Sequence, residues 1–285
     1  MIKKILKDAL KEKLPKDKLN LLPAGYQAIG DILILNVHPE LQDYVKIIGE
    51  TLLQLRPRFR TVCLKEDVIK GEFRTPKVRV IAGDKNTKTM HKEHNCMFEL
   101  DVSKVMFSKG NHNEKKRLCA LVKNGEVIVD MFAGVGYWTI PIAKNTQAKR
   151  IYAIEKNPIS AKYLRDNVKL NKVDNVVVLE GDCRDILKDL DFGVDRVIMG
   201  YLPDCSEFID SAIGVIRAGG TIHFHTLVDT KKLPNTAFPS FSKIAQDMGL
   251  AVLEKAVIVK AYNPGKNHVV LDIKIKKQRI KDPFL

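Results

Sequence analysis

Apolar residues at Ile2, Ile5, Leu6, Leu10 and Leu14 recur at close to helical spacing until Pro15 stops the run, which predicts a helix over residues 2–13. A strand-like stretch follows at Ile29–Val37, and a second helical pattern at Leu41–Leu55 runs into Arg56-Pro57. Strand-like, basic stretches then come at Thr61–Leu64, Lys77–Ala82 and Phe98–Val102. This order predicts a small α+β unit.

From Lys115 the pattern changes. Apolar strand-like runs at Val127–Met131, Arg150–Ile154, Val176–Leu179, Arg196–Met199, Thr221–Phe224, Val257–Val259 and His268–Ile275 alternate with helical patterns. The helical patterns fall at Trp138–Lys144, Ser160–Leu170, Cys183–Asp189, Ser206–Val215 and Phe241–Met248. Such alternation predicts an α/β fold with a mostly parallel, doubly wound sheet covered on both faces. Two domains are expected, a basic α+β domain over residues 1–112 and a larger α/β domain over residues 113–285.

Composition narrows the class. The chain of 285 residues is 45% hydrophobic, enough for a core and too apolar for a disordered or collagenous chain. Its apolar runs are too short to span a bilayer, and the lysines among residues 1–18 leave no signal-type core, so a cytoplasmic protein without membrane contact is expected. The five cysteines form no CxxC pair, so neither a disulfide framework nor a metal site is expected. The net charge of +14, of which +9 lies in residues 1–120, favours a polyanion as partner over a merely solvated lysine-rich surface.

The sharpest chemistry lies at Val127-Ile-Val-Asp130-Met-Phe132-Ala-Gly134-Val-Gly136, a buried-strand run that enters a glycine turn and then a helix. Glycine lets backbone approach a ligand, and the helix behind it offers unpaired N–H groups. The next strand ends at Glu155, where doubly wound folds place an acid on the ribose hydroxyls. The third strand is followed by Gly181-Asp182-Cys183-Arg184, which sets a second acid near an adenine edge. The third glycine that a pyrophosphate requires is missing, which favours S-adenosylmethionine over a dinucleotide. The competing structural roles are a turn cap for Asp130, a helix-start neighbour for Glu155 and a turn acid for Asp182.

These residues resemble a known family, the class I methyltransferase-like enzymes that modify the purine 3′ of the anticodon. The resemblance covers most of the chain. It rests on Gly71-Glu-Phe-Arg74-Thr-Pro76, His91-Lys92-Glu93, Asp101-Val-Ser-Lys104-Val-Met-Phe107-Ser108, the Asp130–Gly136 segment, Glu155-Lys156-Asn157-Pro158, Asn167–Asn171 and Asp195–Met199. One branch comprises tRNA guanine-N1 methyltransferases, the other the tRNA(Phe) (4-demethylwyosine) aminocarboxypropyltransferases of wybutosine synthesis. The methyltransferases carry Asn-Leu-Pro or Asn-Pro-Pro after the fourth strand, where this chain reads Gly200-Tyr201-Leu-Pro203. They also carry Phe-Ser-Pro-Arg where this chain reads Phe107-Ser108-Lys109-Gly-Asn111. Together with Ile222-His223-Phe-His225 and the Ala261–Val270 segment, these differences are similar to the aminocarboxypropyl branch. Pro203-Asp204-Cys205 departs from it.

The resemblance implies transfer of the 3-amino-3-carboxypropyl group from S-adenosylmethionine to C7 of 4-demethylwyosine, with guanine-N1 methylation at the same position as the alternative. It places the donor among Phe107, Ser108, Asp130, Phe132, Gly134, Gly136, Glu155, Lys156, Asn157, Asp182, Cys183, Arg184 and Gly200. Tyr201, His223 and His225 are the candidates at the reacting atoms, although both histidines face one side of a strand and a satisfied core pair is the competing role. The tRNA(Phe) anticodon stem-loop is the expected partner, held by Arg74, Lys92, Lys104, Lys109, Asn111, Lys115 and Arg117. For Lys115-Lys116-Arg117 a solvated helix start is the alternative. A monomer is expected.

Overall fold

The computed structural model describes residues 2–67, 71–190, 192–238 and 251–276, so the helical pattern at Phe241–Met248 lies outside the described residues. The chain divides into two compact units, Met1–Glu93 with Met97–Lys109, and Gly110–Leu285 with His94–Cys96.

In the first unit α1 (Ile2–Leu10) buries Ile2, Leu6 and Leu10, one residue per turn. The predicted strand at 29–37 is a hairpin, β1 (Gln27–Ile29) and β2 (Ile32–Leu35), turned at Gly30, whose φ is +54°. The predicted helix at 41–55 begins as a 3-10 segment at Pro39–Tyr44 and becomes α2 (Val45–Leu55). Strands β3 (Thr61–Lys65) and β4 (Val78–Gly83) complete a four-stranded sheet in the order β1-β2-β3-β4, with only β2 and β3 parallel. Strands β5 (Lys88–Glu93) and β6 (Cys96–Asp101) form a separate two-stranded sheet. Leu6, Leu10, Leu33, Ile48, Leu52 and Val62 are at the centre of this unit's core.

The second unit opens with α3 (His112–Leu121), which the apolar pattern does not announce, and then alternates as predicted. Its elements are β7 (Val127–Asp130), α4 (Thr139–Asn145), β8 (Arg150–Glu155), α5 (Pro158–Leu170), β9 (Val176–Glu180), α6 (Cys183–Ile186) and β10 (Val194–Met199). Then come α7 (Ile209–Val215), β11 (Ile216–Asp229), β12 (Ala251–Asn263) and β13 (Lys266–Ile275). The seven strands are ordered β12-β13-β11-β10-β7-β8-β9, and β13 is inserted antiparallel between β12 and β11 while the other six run in one direction. The order reverses at β7, so the crevice beyond the carboxyl ends of β7 and β10 is where such a sheet binds ligands. One face packs Val129, Val197, Met199, Phe224 and Leu271 against α7, and the other packs Ile128, Ile198 and Ile151 against Leu118 of α3 and Trp138.

Candidate active site

At the carboxyl end of β7 the chain turns through Gly134 (φ +57°) and Gly136 (φ +98°) before α4. A Cβ on Gly134 would meet nothing within 4 Å, so open space lies over it, whereas one on Gly136 would strike Ile140. Asp130 is fully buried beneath this turn. Its carboxylate accepts from Thr139 Oγ1 (2.7 Å) and Phe132 N (3.3 Å), and burial pushes its pKa up to about 7. Asp130 thus caps the turn from inside the protein.

Glu155 ends β8 and reaches across to the same turn, accepting from Gly134 N at 2.7 Å and from Asn157 N at 2.8 Å. Burial raises its pKa, and the backbone donors at Asn157 and Gly134 oppose that rise. Asn157 in turn caps α5 by accepting from Ile159 N. After β9, Asp182 caps α6 and accepts from Arg184 N (2.9 Å), from the Arg184 guanidinium (2.6 and 3.0 Å) and from Lys156 Nζ (3.0 Å). Its hydrogen bonds to the Arg184 side chain hold its carboxyl well below the usual carboxylate range. Arg184 also bridges to Glu207, while Cys183 is buried and its thiol is pushed up to about 12 by that burial. Phe132, Tyr201 and Phe208 pack ring against ring beside this row, with Phe132 5.2 Å from Tyr201 and 4.9 Å from Phe208.

At the end of β10, Gly200 lies against the indole of Trp138, and a Cβ there would come within 2.6 Å of Trp138 Nε1. His225 packs against the same indole, with ring centroids 5.1 Å apart, and its Nδ1 is 2.9 Å from His268 Nε2. The structure therefore brings Asp130, Phe132, Gly134, Gly136, Glu155, Lys156, Asn157, Asp182, Cys183, Arg184, Gly200 and Tyr201 to the carboxyl ends of adjacent strands and the turns that follow them.

Other expected residues sit elsewhere. His223 is fully buried, with Nε2 2.6 Å from Arg196 Nη1 and Nδ1 2.6 Å from Asp272 Oδ1. A guanidinium only donates, so Nδ1 carries the proton and both nitrogens are engaged; His223 belongs to the core network rather than to the reacting atoms. Arg117 binds Asp272 and Glu114, and Lys115 is 1% exposed with Nζ 3.4 Å above the Tyr137 ring, so neither is a surface cation for phosphate. Asn111 is buried at the start of α3. In the first unit, Phe107 is buried against Phe98 and His91, Ser108 and Arg74 are partly exposed, and Lys92, Lys104 and Lys109 are exposed.

The sequence reading gives no role to Thr139, Trp138, His268 or the Glu126–Arg196 and Arg117–Asp272 pairs. Thr139 stands nine residues after Asp130, at the first turn of the following helix, which is the one local signal that exposes it. The others depend on contacts between segments distant in sequence.

The sheet order, the glycine turn, the acid closing the second parallel strand and the second acid after the third define a class I methyltransferase-like α/β protein with a nucleoside cleft. The TRM5/TYW2 methyltransferase domain matches residues 89–253, and the TYW2 N-terminal domain matches residues 6–87. The chain belongs to the TRM5/TYW2 methyltransferase family. It is 40% identical over 254 residues to tRNA(Phe) (4-demethylwyosine(37)-C(7)) aminocarboxypropyltransferase of Methanocaldococcus jannaschii, covering 88% of this chain and 98% of that one. Identity to tRNA (guanine(37)-N(1))-methyltransferase Trm5b of Pyrococcus abyssi is 35% over 264 residues, 92% of this chain and 78% of the other. Among solved structures, P. horikoshii TYW2 in complex with MeSAdo aligns with a TM-score of 0.80 at 34% identity, over 96% of this chain and 99% of that one.

Proposed function

We propose that this chain transfers the 3-amino-3-carboxypropyl group of S-adenosylmethionine to C7 of 4-demethylwyosine in tRNA(Phe), leaving 5′-methylthioadenosine. The observation that carries this reading is the Gly200-Tyr201 turn. With hydrogen at Gly200, Trp138 stands where an Asn side chain would be, so the polar group characteristic of the guanine-N1 branch has no room beside the donor. Two relatives that match over most of both chains, at 40% and 37% identity, carry the aminocarboxypropyl name.

The residues fit the donor. Open space over Gly134, a backbone-anchored carboxylate at Glu155 and a second acid at Asp182 suit a nucleoside that donates hydroxyl hydrogens, and two carboxylates suit a cationic sulfonium. Glu155 would hold the ribose, the Asp182-Cys183 backbone the adenine edge, and Phe132 with Tyr201 an apolar wall. When bound, S-adenosylmethionine supplies a sulfonium that makes its Cγ electrophilic and its thioether a leaving group. The chain decides which carbon reacts by orientation, through the shape of the Gly200 turn. Tyr201 would offer a stacking surface to a base drawn out of the anticodon loop. Arg74, Lys92, Lys104 and Lys109 of the first unit supply phosphate contacts to the anticodon stem-loop. The enzyme acts as a cytoplasmic monomer.

Mass spectrometry of nucleosides tests the reading, after incubation with S-adenosylmethionine and tRNA(Phe) carrying either 4-demethylwyosine or unmodified guanosine. A gain of about 101 Da on the former is expected; a gain of about 14 Da on the latter would replace this function by guanine methylation.

A further inference from the structure

His225 on β11 and His268 on β13 are each 1% exposed, and their rings lie 5.1 Å apart. A single 2.9 Å contact joins Nδ1 of His225 to Nε2 of His268. The outer nitrogens, Nε2 of His225 and Nδ1 of His268, have no hydrogen-bond partner among the described residues. Buried polar atoms are seldom left so, because each costs the desolvation of a donor or acceptor. Two neutral imidazoles sharing one hydrogen bond use one N–H and one lone pair. The outer atoms are therefore one lone pair and one N–H, so a proton can enter at one end and leave at the other.

Both ends are placed for that. His225 follows Phe224, the register partner of Met199, so it lies beside the Gly200 turn, and the Cys205 thiol, within 3.3 Å of the His225 carbonyl and 3.6 Å of the Met199 carbonyl, ties β11 to the end of β10. His268 pairs across the sheet with Lys260, whose Nζ is 3.7 Å from where a Cβ on Gly110 would stand. Next to Gly110, the buried Asn111 Oδ1 also lacks a partner.

We infer that His225 and His268 form a two-imidazole relay that removes the proton from the ring carbon receiving the aminocarboxypropyl group. The inference rests on the aminocarboxypropyl reading above. A ring electron pair forms the C7–Cγ bond while the Cγ–S pair departs with sulfur. The C7–H pair then returns to the ring, and its proton passes to Nε2 of His225. His225 gives its Nδ1 proton to Nε2 of His268, which releases its own Nδ1 proton on the side of Lys260 and Asn111. Exchange with solvent after product release restores the starting tautomers.

Regaining aromaticity makes that C–H strongly acidic, so a weak base suffices and a neutral one is required. Burial holds the His225 imidazole well below its ordinary value, and His268, His223 and Arg117 reinforce this, while Asp272 alone opposes it. Burial and Lys260 bring His268 down to about 4. The pair is therefore neutral at physiological pH and ready to accept.

The test combines two measurements on the full chain. Nitrogen-15 histidine spectra of the free protein should show His225 protonated at Nδ1 and bare at Nε2, and a protonated Nε2 would overturn the relay. In single turnover, His225→Ala should slow transfer about 100-fold or more, with methylthioadenosine and tRNA affinity unchanged within about twofold and partial rescue by added imidazole. A substrate deuterated at C7 should then show a primary isotope effect. His268→Gln, whose carbonyl still accepts from His225 but cannot pass a proton on, should lose less and respond less to imidazole. A His225→Ala rate equal to wild type, or a loss matched by lost donor affinity, would overturn the relay. If wild type itself yields no aminocarboxypropyl product, the underlying function fails instead.

Discussion

Nη1 of Arg196 donates to Nε2 of His223 at 2.6 Å, and the same guanidinium binds both oxygens of Glu126 at 2.8 Å and the carbonyl of Leu121. Because all three side chains are buried, removing one charge strands the other. Arg196→Met should destabilise the second unit by about 3–5 kcal/mol, and combining it with Glu126→Leu should recover most of the loss. Denaturant midpoints decide this, and a single variant as stable as wild type would contradict the network's role.

The pH dependence of stability has two opposing parts. Burial holds His223, His225 and, at about 4, His268 below the imidazole value of roughly 6.5, so the unfolded chain takes up protons that the folded chain refuses. Their contribution is complete above about pH 6.5 and is lost as the pH falls toward about 4. Asp130 has the reverse sign. Its folded value of about 7 lies above the unfolded value, so its contribution is present in acid and is lost as the pH rises through about 7. Asp130→Asn removes only the second part, and its unfolding free energy should therefore rise more steeply than wild type between ~pH 4.5 and ~pH 7.5. Parallel curves would show that Asp130 is not the group responsible.

Gly200→Ala places a methyl within 2.6 Å of Trp138 Nε1, the indole of the chain's single tryptophan. The indole must shift, so the emission maximum should move and methylthioadenosine should bind about tenfold more weakly, roughly the worth of one displaced contact. Unchanged fluorescence and affinity would mean that the turn tolerates a side chain.

Salt dependence separates the two kinds of lysine. Lys92 and Lys104 are exposed, whereas Lys115 is buried over the Tyr137 ring. Replacing Lys92 or Lys104 with Ala should lower the salt slope of tRNA binding by about one and leave the melting temperature alone. Lys115→Ala should lower the melting temperature and leave the slope alone. The opposite assignment would put Lys115 on the RNA.

The strand–helix alternation from β7 to β11 was legible because each strand is a run of Val and Ile closed by a turn residue, and the glycine turn and its two acids follow in order. Two elements stayed hidden for one reason. The buried positions of α3 are Glu114, Lys115 and Leu118, and those of β5 are Thr89, His91 and Glu93 while Lys88, Met90 and Lys92 face outward. Where the inward face is polar, hydrophobic periodicity is silent or inverted. On β5 that face does specific work: Thr89 Oγ1 donates to Asp31, and His91 Nδ1 accepts from Gly30 N, fixing the β1–β2 turn. His223 and Arg117 were misplaced for a related reason. Residue type marks them as chemical groups, and it takes Asp272, on a strand distant in sequence and bound to both, to show that they are already engaged inside the fold.

Strand register gives these buried polar groups a second significance. Across β11 and β13, His223 stands opposite Asp272, His225 opposite Val270 and Leu227 opposite His268. A slip of one residue turns every side chain to the wrong face, and the apolar layers forbid it. A slip of two keeps each face correct, so hydrophobic burial alone barely distinguishes it from the native pairing. It would, however, carry Asp272 away from His223 and Arg117 and leave a carboxylate inside the protein without its cation. The charged pairs thus act as a proofreader of alignment, rejecting the near-native error that oil-and-water sorting lets through.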